Sequence, residues 1–197
     1  MIRLAAALIL VASAPQAQLL PDRYSVTGVD ANDVLNIRSG PGVSFDVIGE
    51  LGPYTLNVEV IDTQDGWAMV PAGEVNGWVA LQYLTPHPLP ENEVPRPLIC
   101  SGTEPFWDIG LYPRGAEYND LALGDRQDLT VVRETTAPNG YLIEMQGSPT
   151  VTKTLTVKAG YCSDGMSDRS FNMSALLFSQ TPDGNYVETG CCTFQPN

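Results

Sequence analysis

Acid–base, nucleophilic and metal chemistry would have to come from a small set of side chains in this chain. The 197 residues contain one histidine, His87, which lies in a proline-rich stretch. This argues against a serine–histidine triad and against a multi-histidine metal site. Asp and Glu number 23, but no motif sets two of them across a sugar-sized cleft, as glycoside hydrolysis requires. The sequence therefore predicts no catalytic residue, no bound metal and no cofactor.

Lysine is the remaining candidate for a catalytic base. Lys153 and Lys158 fall in residues 152–158, a segment with the alternation of a β-strand, and we expect their ammonium groups to be solvated. The acidic segments 62–66 and 164–168 are too short for a calcium loop of about 12 residues and are better explained as turns. These residues favour a binding protein over an enzyme.

The first 17 residues have the pattern of a secretory signal peptide, with one positive charge, an apolar run and then small residues. No later segment is apolar for the roughly 20 residues that a membrane helix needs. No cysteine stands near the expected cleavage point, between Ala14 and Gln18, which disfavours a lipid anchor. We expect a periplasmic or secreted protein that does not insert into the membrane after signal cleavage.

The charge of the chain limits its partners. The net charge is −13 at pH 7, the sequence pI is near 4.2, and acidic residues outnumber basic ones in both halves of the chain. Nucleic acid and anionic lipid surfaces would be repelled. Such acidity favours solubility, and it would also suit a basic protein partner.

Four cysteines lie in the second half of the chain, and export makes disulfides their expected state. The chain has no Cys-x-x-Cys pair, which disfavours a metal site. If Cys191 and Cys192 lie in a strand, their side chains point to opposite faces and pair with different partners. We favour the pairs Cys162–Cys191 and Cys100–Cys192, and the swapped pairing remains open.

A proline-rich segment divides the chain. Residues 86–97 are predicted to be an extended, semi-rigid spacer between a domain at 18–85 and a domain at 98–197. Runs of alternating or β-branched residues bounded by Gly, Pro, Asn or Asp predict that both domains are all-β. The second domain is expected to have seven or eight strands, with hairpin turns at Pro138-Asn139-Gly140 and Pro182-Asp183-Gly184.

The first domain carries a recognisable series of motifs. It has Leu-Asn-Ile-Arg-Ser-Gly-Pro-Gly at 35–42, an aliphatic strand at 47–51, Asp-Gly-Trp at 65–67 and a closing Gly-Trp-Val strand at 77–84. Over roughly residues 24–85 this series resembles the bacterial SH3-like (SH3b) domain, which implies an SH3-like barrel and binding of peptidoglycan or peptides. Aromatic platforms beside polar groups suit stacking on sugars or extended peptides. The predicted groove residues are Tyr54, Trp67, Asn76 and Tyr83.

The second domain has motifs of its own, namely Gly-Thr-Glu-Pro-Phe-Trp at 102–107, Cys-Ser-Asp-Gly-Met-Ser-Asp-Arg at 162–169 and a late Gly-Cys-Cys. Over most of residues 99–193 they resemble a family of uncharacterised bacterial envelope proteins, which implies a small β-barrel and no established activity. Phe106 and Trp107 should point to opposite sides of their strand, and Arg169 could pair with Glu104 or Asp168. The candidate site, with either a structural or a ligand-binding role, comprises Glu104, Trp107, Asp164, Met166 and Arg169.

The expected architecture is an N-terminal SH3-like barrel followed by a disulfide-stapled antiparallel β-barrel. The function that fits is non-catalytic binding in the cell envelope, with peptidoglycan or an envelope peptide or protein as the partner. Two alternatives remain open. One is a wall-active or carbohydrate-active hydrolase, and the other is an inhibitor of a basic envelope enzyme such as lysozyme.

Overall fold

The computed structural model describes residues 22–88 and 92–195, and the predicted signal peptide lies outside them. Over these two ranges the chain forms sixteen β-strands and a short 3₁₀ helix at Leu81–Tyr83. Within the same ranges, no helix has the length and apolarity needed to cross a membrane. The predicted all-β fold class is confirmed.

The first eight strands build two antiparallel sheets. One has the order β4-β1-β8 and the other has the order β3-β2-β7-β6-β5. Their apolar faces enclose a core of aliphatic side chains that includes Val26, Ile37 and Val79. The strand bounds are β1 Asp22–Val26, β2 Leu35–Arg38, β3 Val47–Leu51, β4 Val58–Val60, β5 Asp62–Gln64, β6 Trp67–Ala72, β7 Val75–Ala80 and β8 Leu84–Pro86.

The hairpin between β5 and β6 shows how the sequence places an aromatic side chain on the outside of this domain. Asp65 and Gly66 have φ values of 49° and 82°, which is the pair of left-handed residues that a tight hairpin turn requires. Beyond the turn, Ala68 and Val70 are buried in the core. Because side chains alternate along a strand, Trp67 lies on the opposite, outer face and is half-buried.

The second domain is a closed, eight-stranded antiparallel barrel with the order β10-β11-β12-β13-β14-β15-β16-β9. The two predicted hairpins are present, because Ala137 pairs with Gly140 and Thr181 pairs with Gly184. The strand bounds are β9 Leu98–Thr103, β10 Phe106–Tyr112, β11 Gly115–Asp120, β12 Asp125–Ala137, β13 Gly140–Ser148, β14 Val151–Cys162, β15 Phe171–Thr181 and β16 Gly184–Phe194.

Two disulfides join the strands of this barrel. Cys100 and Cys192 are cross-strand partners on β9 and β16, and their disulfide lies in the buried core. Cys191 points to the other face of β16 and is bonded to Cys162 at the end of β14. These are the pairs that the sequence favours, and the alternation of side chains along β16 explains why adjacent cysteines have different partners.

The two ends of the barrel have different surroundings. One end contacts the first domain, where Asn172 Nδ2 donates to the carbonyl of Ile61 at 2.8 Å and Asn76 Nδ2 donates to the carbonyl of Ser170 at 3.4 Å. The opposite end is bounded by the hairpin turns at 104–105, 121–124, 149–150 and 182–183. This second end faces away from the first domain.

The described parts of the predicted spacer contact both domains. The backbone N–H of His87 donates to the carbonyl of Arg23 at 2.6 Å, which extends the first domain beyond β8. On the other side, Val94 is buried in the barrel core, and Arg96 donates to the carbonyl of Tyr112 and pairs with Glu134. The segment is therefore held at each end by contacts with the domain that it adjoins.

Candidate functional site

A pocket of about 860 Å³ opens on the surface of the first domain. It lies between the segment that follows β1, the start of β6 and the 3₁₀ helix. The side chains that line it include two aromatic residues, two carboxylates, a guanidinium and two amides, namely Trp67, Tyr83, Asp30, Asp33, Arg38, Asn36 and Gln82. Aromatic groups beside hydrogen-bonding groups suit the recognition of a sugar or a peptide.

Backbone hydrogen bonds fix the position of the two aromatic residues. The N–H of Leu81 donates to the carbonyl of Gly66 at 2.9 Å, which ties the 3₁₀ helix to the turn before Trp67. The carbonyl of Tyr83 accepts from the N–H of Thr27, also at 2.9 Å. Backbone hydrogen bonds to the two ends of the 3₁₀ helix thus hold the segments that carry Trp67 and Tyr83.

Arg38 connects the pocket to the Ser-Gly-Pro-Gly turn. Its Nη1 donates to the carbonyl of Phe45 at 2.8 Å, so part of its guanidinium is engaged in holding this turn. A Cβ added at Gly40 would lie 2.5 Å from the Phe45 ring, far inside van der Waals contact. Gly40 is therefore needed for the close packing of the Phe45 ring. The Ser-Gly-Pro-Gly turn also fixes Arg38 at the edge of the pocket, through the hydrogen bond to Phe45.

The four residues predicted to form the groove do not all meet. Trp67 and Tyr83 line the pocket, whereas Tyr54 and Asn76 lie outside it. Tyr54 sits in the turn after β3 and is 73% exposed. Asn76 is on β7 and donates to the second domain. Side-chain alternation indicates that Trp67 and Asn76 lie on the outer faces of their strands, but it does not indicate which residues are neighbours on the surface.

The five residues predicted to form a site in the second domain lie in the barrel interior, in the β9–β10 turn and in the loop between β14 and β15, which carries Asp164, Met166 and Arg169. Trp107 points into the barrel and is 1% exposed, so it cannot contact an external ligand. Glu104 lies in the exposed β9–β10 turn. Met166 is 68% exposed in the loop after β14. The predicted pocket of these residues is therefore not formed.

Asp164 organises the loop in which Met166 lies. Its Oδ1 accepts from the backbone N–H groups of Met166 and Ser167 at 3.0 and 2.9 Å, and its Oδ2 accepts from the Ser167 hydroxyl at 2.7 Å. Burial acts to raise the pKa of Asp164, but these hydrogen bonds and the nearby Arg169 outweigh it and hold the pKa below its usual value. This arrangement is that of a loop-forming carboxylate, in agreement with the turn predicted here.

Arg169 is not paired with Glu104 or Asp168, the two partners predicted from the sequence. Its Nη2 donates to the Thr193 hydroxyl at 2.6 Å, and its guanidinium lies 4.3 Å from the centre of the Phe171 ring. The charges that act on it are those of Glu59 and Asp164. Arg169 therefore belongs to the contact between the two domains.

Glu59 completes this contact from the first domain. It is 1% exposed, and its Oε2 accepts from the Thr193 hydroxyl at 2.5 Å and from the backbone N–H of Phe194 at 2.9 Å. Burial raises the pKa of Glu59, although both hydrogen bonds and the charge of Arg169 oppose the shift. A charged residue between two valines, in Val-Glu-Val at 58–60, is the feature of the sequence that could have indicated this buried carboxylate, since all three side chains of β4 are buried.

A second buried polar group was also missed, because Lys153 was expected to be solvated. Lys153 and Lys158 are five residues apart, so alternation sends them to opposite faces of β14. Lys158 is exposed, but Lys153 points into the barrel and is 4% exposed. Its Nζ donates to the Ser179 hydroxyl at 2.9 Å. Over residues 22–88 and 92–195, no three His, Cys, Asp or Glu side chains are grouped so that they could hold a metal ion.

Comparisons with known proteins identify the first domain. The family model described as "Bacterial SH3 domain" matches residues 33–85. "Putative N-acetylmuramoyl-L-alanine amidase YrvJ" of Bacillus subtilis (strain 168) is 34% identical over 76 residues, which are 39% of this chain and 14% of that protein. The chain thus matches a small part of that relative.

No solved structure matches the chain. The resemblance of residues 99–193 to a family of envelope proteins is not shown by these comparisons and stays a prediction. The resemblance of the first domain is confirmed, and residues 33–85 are a bacterial SH3 domain.

Proposed function

We propose that this protein is a non-catalytic binding protein of the cell envelope that holds peptidoglycan in the pocket of its SH3 domain. The observation that carries the proposal is that Trp67 and Tyr83 line one open pocket together with Asp30, Asp33 and Arg38. Peptidoglycan offers sugar rings for aromatic stacking and short peptides with charged groups for carboxylates and a guanidinium.

The relative from Bacillus subtilis supports this proposal in two ways. Its name describes an enzyme acting on an N-acetylmuramoyl-L-alanine linkage, which belongs to the cell wall. The matched part is the SH3 region and covers 14% of that protein, so the similarity does not extend to a whole enzyme. The shared part is therefore best explained as a wall-binding module, and export to the periplasm or beyond would place it beside its ligand.

The test is a pull-down of the full chain on purified peptidoglycan. Trp67→Ala should lower the bound fraction at least tenfold, since aromatic platforms dominate binding energy at such sites. Tyr54→Ala is the matched control, because Tyr54 is an exposed aromatic residue of the same domain that lies outside the pocket. It should bind as the unmodified protein does.

Stability must be measured on the same variants. Trp67 is half-buried on an outer face, so Trp67→Ala should cost clearly less than the roughly 3–5 kcal/mol expected for a buried tryptophan such as Trp107. Retained wall binding by folded Trp67→Ala protein would overturn the proposal. Release of soluble wall fragments by the purified chain would show an enzyme instead, and capture by lysozyme without binding to the wall would show an inhibitor.

A further inference from the structure

The end of the barrel that faces away from the SH3 domain contains a cavity of about 720 Å³. The hairpin turns at this end contribute to its wall, including Pro105 from the β9–β10 turn and Asp183 from the β15–β16 turn. An eight-stranded barrel has an interior just wide enough for side chains or for one small ligand. Here the buried apolar core occupies the barrel interior, and polar side chains line the cavity at the end away from the SH3 domain.

Three buried titratable side chains form the floor of this cavity. The Nζ of Lys153 lies 3.4 Å from the centre of the Tyr118 ring and donates to the Ser179 hydroxyl at 2.9 Å. The Tyr118 hydroxyl donates to Oε1 of Glu188 at 3.3 Å. Lys153, Tyr118 and Glu188 are all at least nine-tenths buried. Buried ionisable groups are costly unless they are compensated, so a cluster of them at an open cavity points to a site.

The charge around the cavity is negative. Its lining contains four carboxylates, from Asp120, Asp125, Asp183 and Glu188, and Lys153 is the one basic residue. Burial raises the pKa of Glu188 and lowers the pKa of Lys153. If Glu188 is neutral and Lys153 is charged, the three aspartates still give the cavity lining a negative net charge. If Lys153 is neutral, the net charge of the lining is more negative still. A cation is therefore attracted in each of these states.

Apolar and unpartnered groups complete the lining. Leu123 and Val187 are 82% and 63% exposed at the mouth of the cavity, where they offer apolar surface to a ligand. Among the lining residues, Gln127 has an Oε1 that is buried and has no hydrogen-bond partner within the described part of the chain. A buried acceptor without a partner loses free energy that a ligand N–H would restore.

We propose that the open end of the barrel binds a small organic amine, with its ammonium group among the carboxylates and Oε1 of Gln127 and its apolar body against Leu123 and Val187. The ammonium of Lys153 donates to Ser179 and lies over the Tyr118 ring, so it acts on the carboxylates through its charge and leaves their hydrogen-bond positions to a ligand ammonium. This site is separate from the SH3 pocket, which lies in the other domain, and it does not depend on wall binding.

The experiment is a titration of the full chain with three small molecules that share a phenylethyl group and differ in their terminal group. Binding is monitored by the NMR chemical shifts of the backbone amides. The probes are 2-phenylethylamine, 2-phenylethanol and 3-phenylpropionate, which carry an ammonium, a hydroxyl and a carboxylate. The amine should give saturable shifts confined to residues 120–127, 151–153 and 179–188. The alcohol should bind at least about fivefold more weakly, and the carboxylate should give no saturable shift.

Variants at the mouth test the assigned groups. Asp125→Asn/Asp183→Asn removes two exposed carboxylates and should weaken amine binding by about tenfold with an unchanged melting temperature. Asp168→Asn, an exposed aspartate outside the cavity, is the matched control and should bind the amine normally. Equal binding of the three probes, shifts in the SH3 domain alone, or no saturable shift at the mouth would each overturn the proposal.

Discussion

Oε2 of Glu59, a buried carboxylate in the SH3 domain, accepts a hydrogen bond of 2.9 Å from the backbone N–H of Phe194, the last residue of the barrel. The same oxygen accepts from the Thr193 hydroxyl, which in turn accepts from Arg169. A single carboxylate therefore joins β4 of one domain to β16 of the other. The two domains are connected by a buried polar contact as well as by the chain between them.

Removing the hydroxyl at the centre of this contact should destabilise the protein. Thr193→Val keeps the shape of the side chain but removes one of the two hydrogen bonds to Glu59 and the hydrogen bond from Arg169, which should lower the free energy of unfolding by about 1–3 kcal/mol. Urea unfolding followed by tryptophan fluorescence measures the change. Thr189→Val, at an exposed position of the same strand, should change it by less than about 0.5 kcal/mol. Equal effects of both substitutions would remove Thr193 from its assigned role.

The pH dependence of stability should reveal the buried carboxylate. Burial raises the folded-state pKa of Glu59 above the unfolded value of about 4.3. The folded protein then keeps a proton that the unfolded chain has lost, so the stability contributed by Glu59 is full below the unfolded pKa and falls as pH rises through the folded pKa. Glu59→Gln cannot titrate and should lack this decline.

The comparison between the two proteins isolates Glu59. Other shifted groups, such as Glu188 and Asp164, are present in both and cancel in the difference. Melting temperatures measured from pH 4 upward should therefore show Glu59→Gln gaining relative to the unmodified protein as pH increases. Parallel curves across this range would show that Glu59 titrates normally.

The disulfides should stabilise the barrel to different degrees. Cys100 and Cys192 are 92 residues apart in sequence, whereas Cys162 and Cys191 are 29 apart. In the chain-entropy model the longer loop contributes about 1 kcal/mol more to the free energy of unfolding. Double serine variants of each pair, compared by denaturant unfolding, test this order.

The SH3 domain provides the internal control for that comparison, since it has no cysteine. Hydrogen exchange in residues 22–88, away from the contact with the barrel, should be unchanged in both double variants. Under mild reduction, mass spectrometry should detect the Cys162–Cys191 thiols first, because Cys162 is partly exposed while Cys100 and Cys192 are buried. Faster reduction of the Cys100–Cys192 pair would contradict this.

Local patterns were sufficient to predict much of this fold. The turns at Pro138-Asn139 and Pro182-Asp183 join strands as their residues require. Alternation correctly separated Phe106, which is 45% exposed, from the buried Trp107. These features depend on neighbours within a few residues, which a single sequence contains.

Contacts between distant residues could not be predicted in this way. The Thr193 hydroxyl and the Glu59 carboxylate are 134 residues apart, and no periodicity indicates that β4 approaches β16. The predicted pairing of Arg169 with Glu104 or Asp168 was wrong for the same reason, since its hydrogen-bond partner, Thr193, is 24 residues away on β16. Likewise, Tyr54 and Trp67 both lie at the surface of the SH3 domain, but only the arrangement of the strands decides that they do not share a pocket.

The floor of the barrel cavity should behave as a coupled network. Lys153→Met leaves the buried Glu188 without its nearby cation, and Glu188→Leu leaves Lys153 without its nearby anion, so each should lower the free energy of unfolding by about 1–3 kcal/mol. In the double variant neither charge remains, and apolar side chains can replace them in the barrel. The double variant should therefore be more stable than the sum of the two single effects predicts, by about 0.5–3 kcal/mol.

The control for this coupling is Lys158, at an exposed position of the same strand. Lys158→Met should show no coupling to Glu188→Leu. Strictly additive effects of Lys153→Met and Glu188→Leu would mean that the two charges do not sense each other across the cavity.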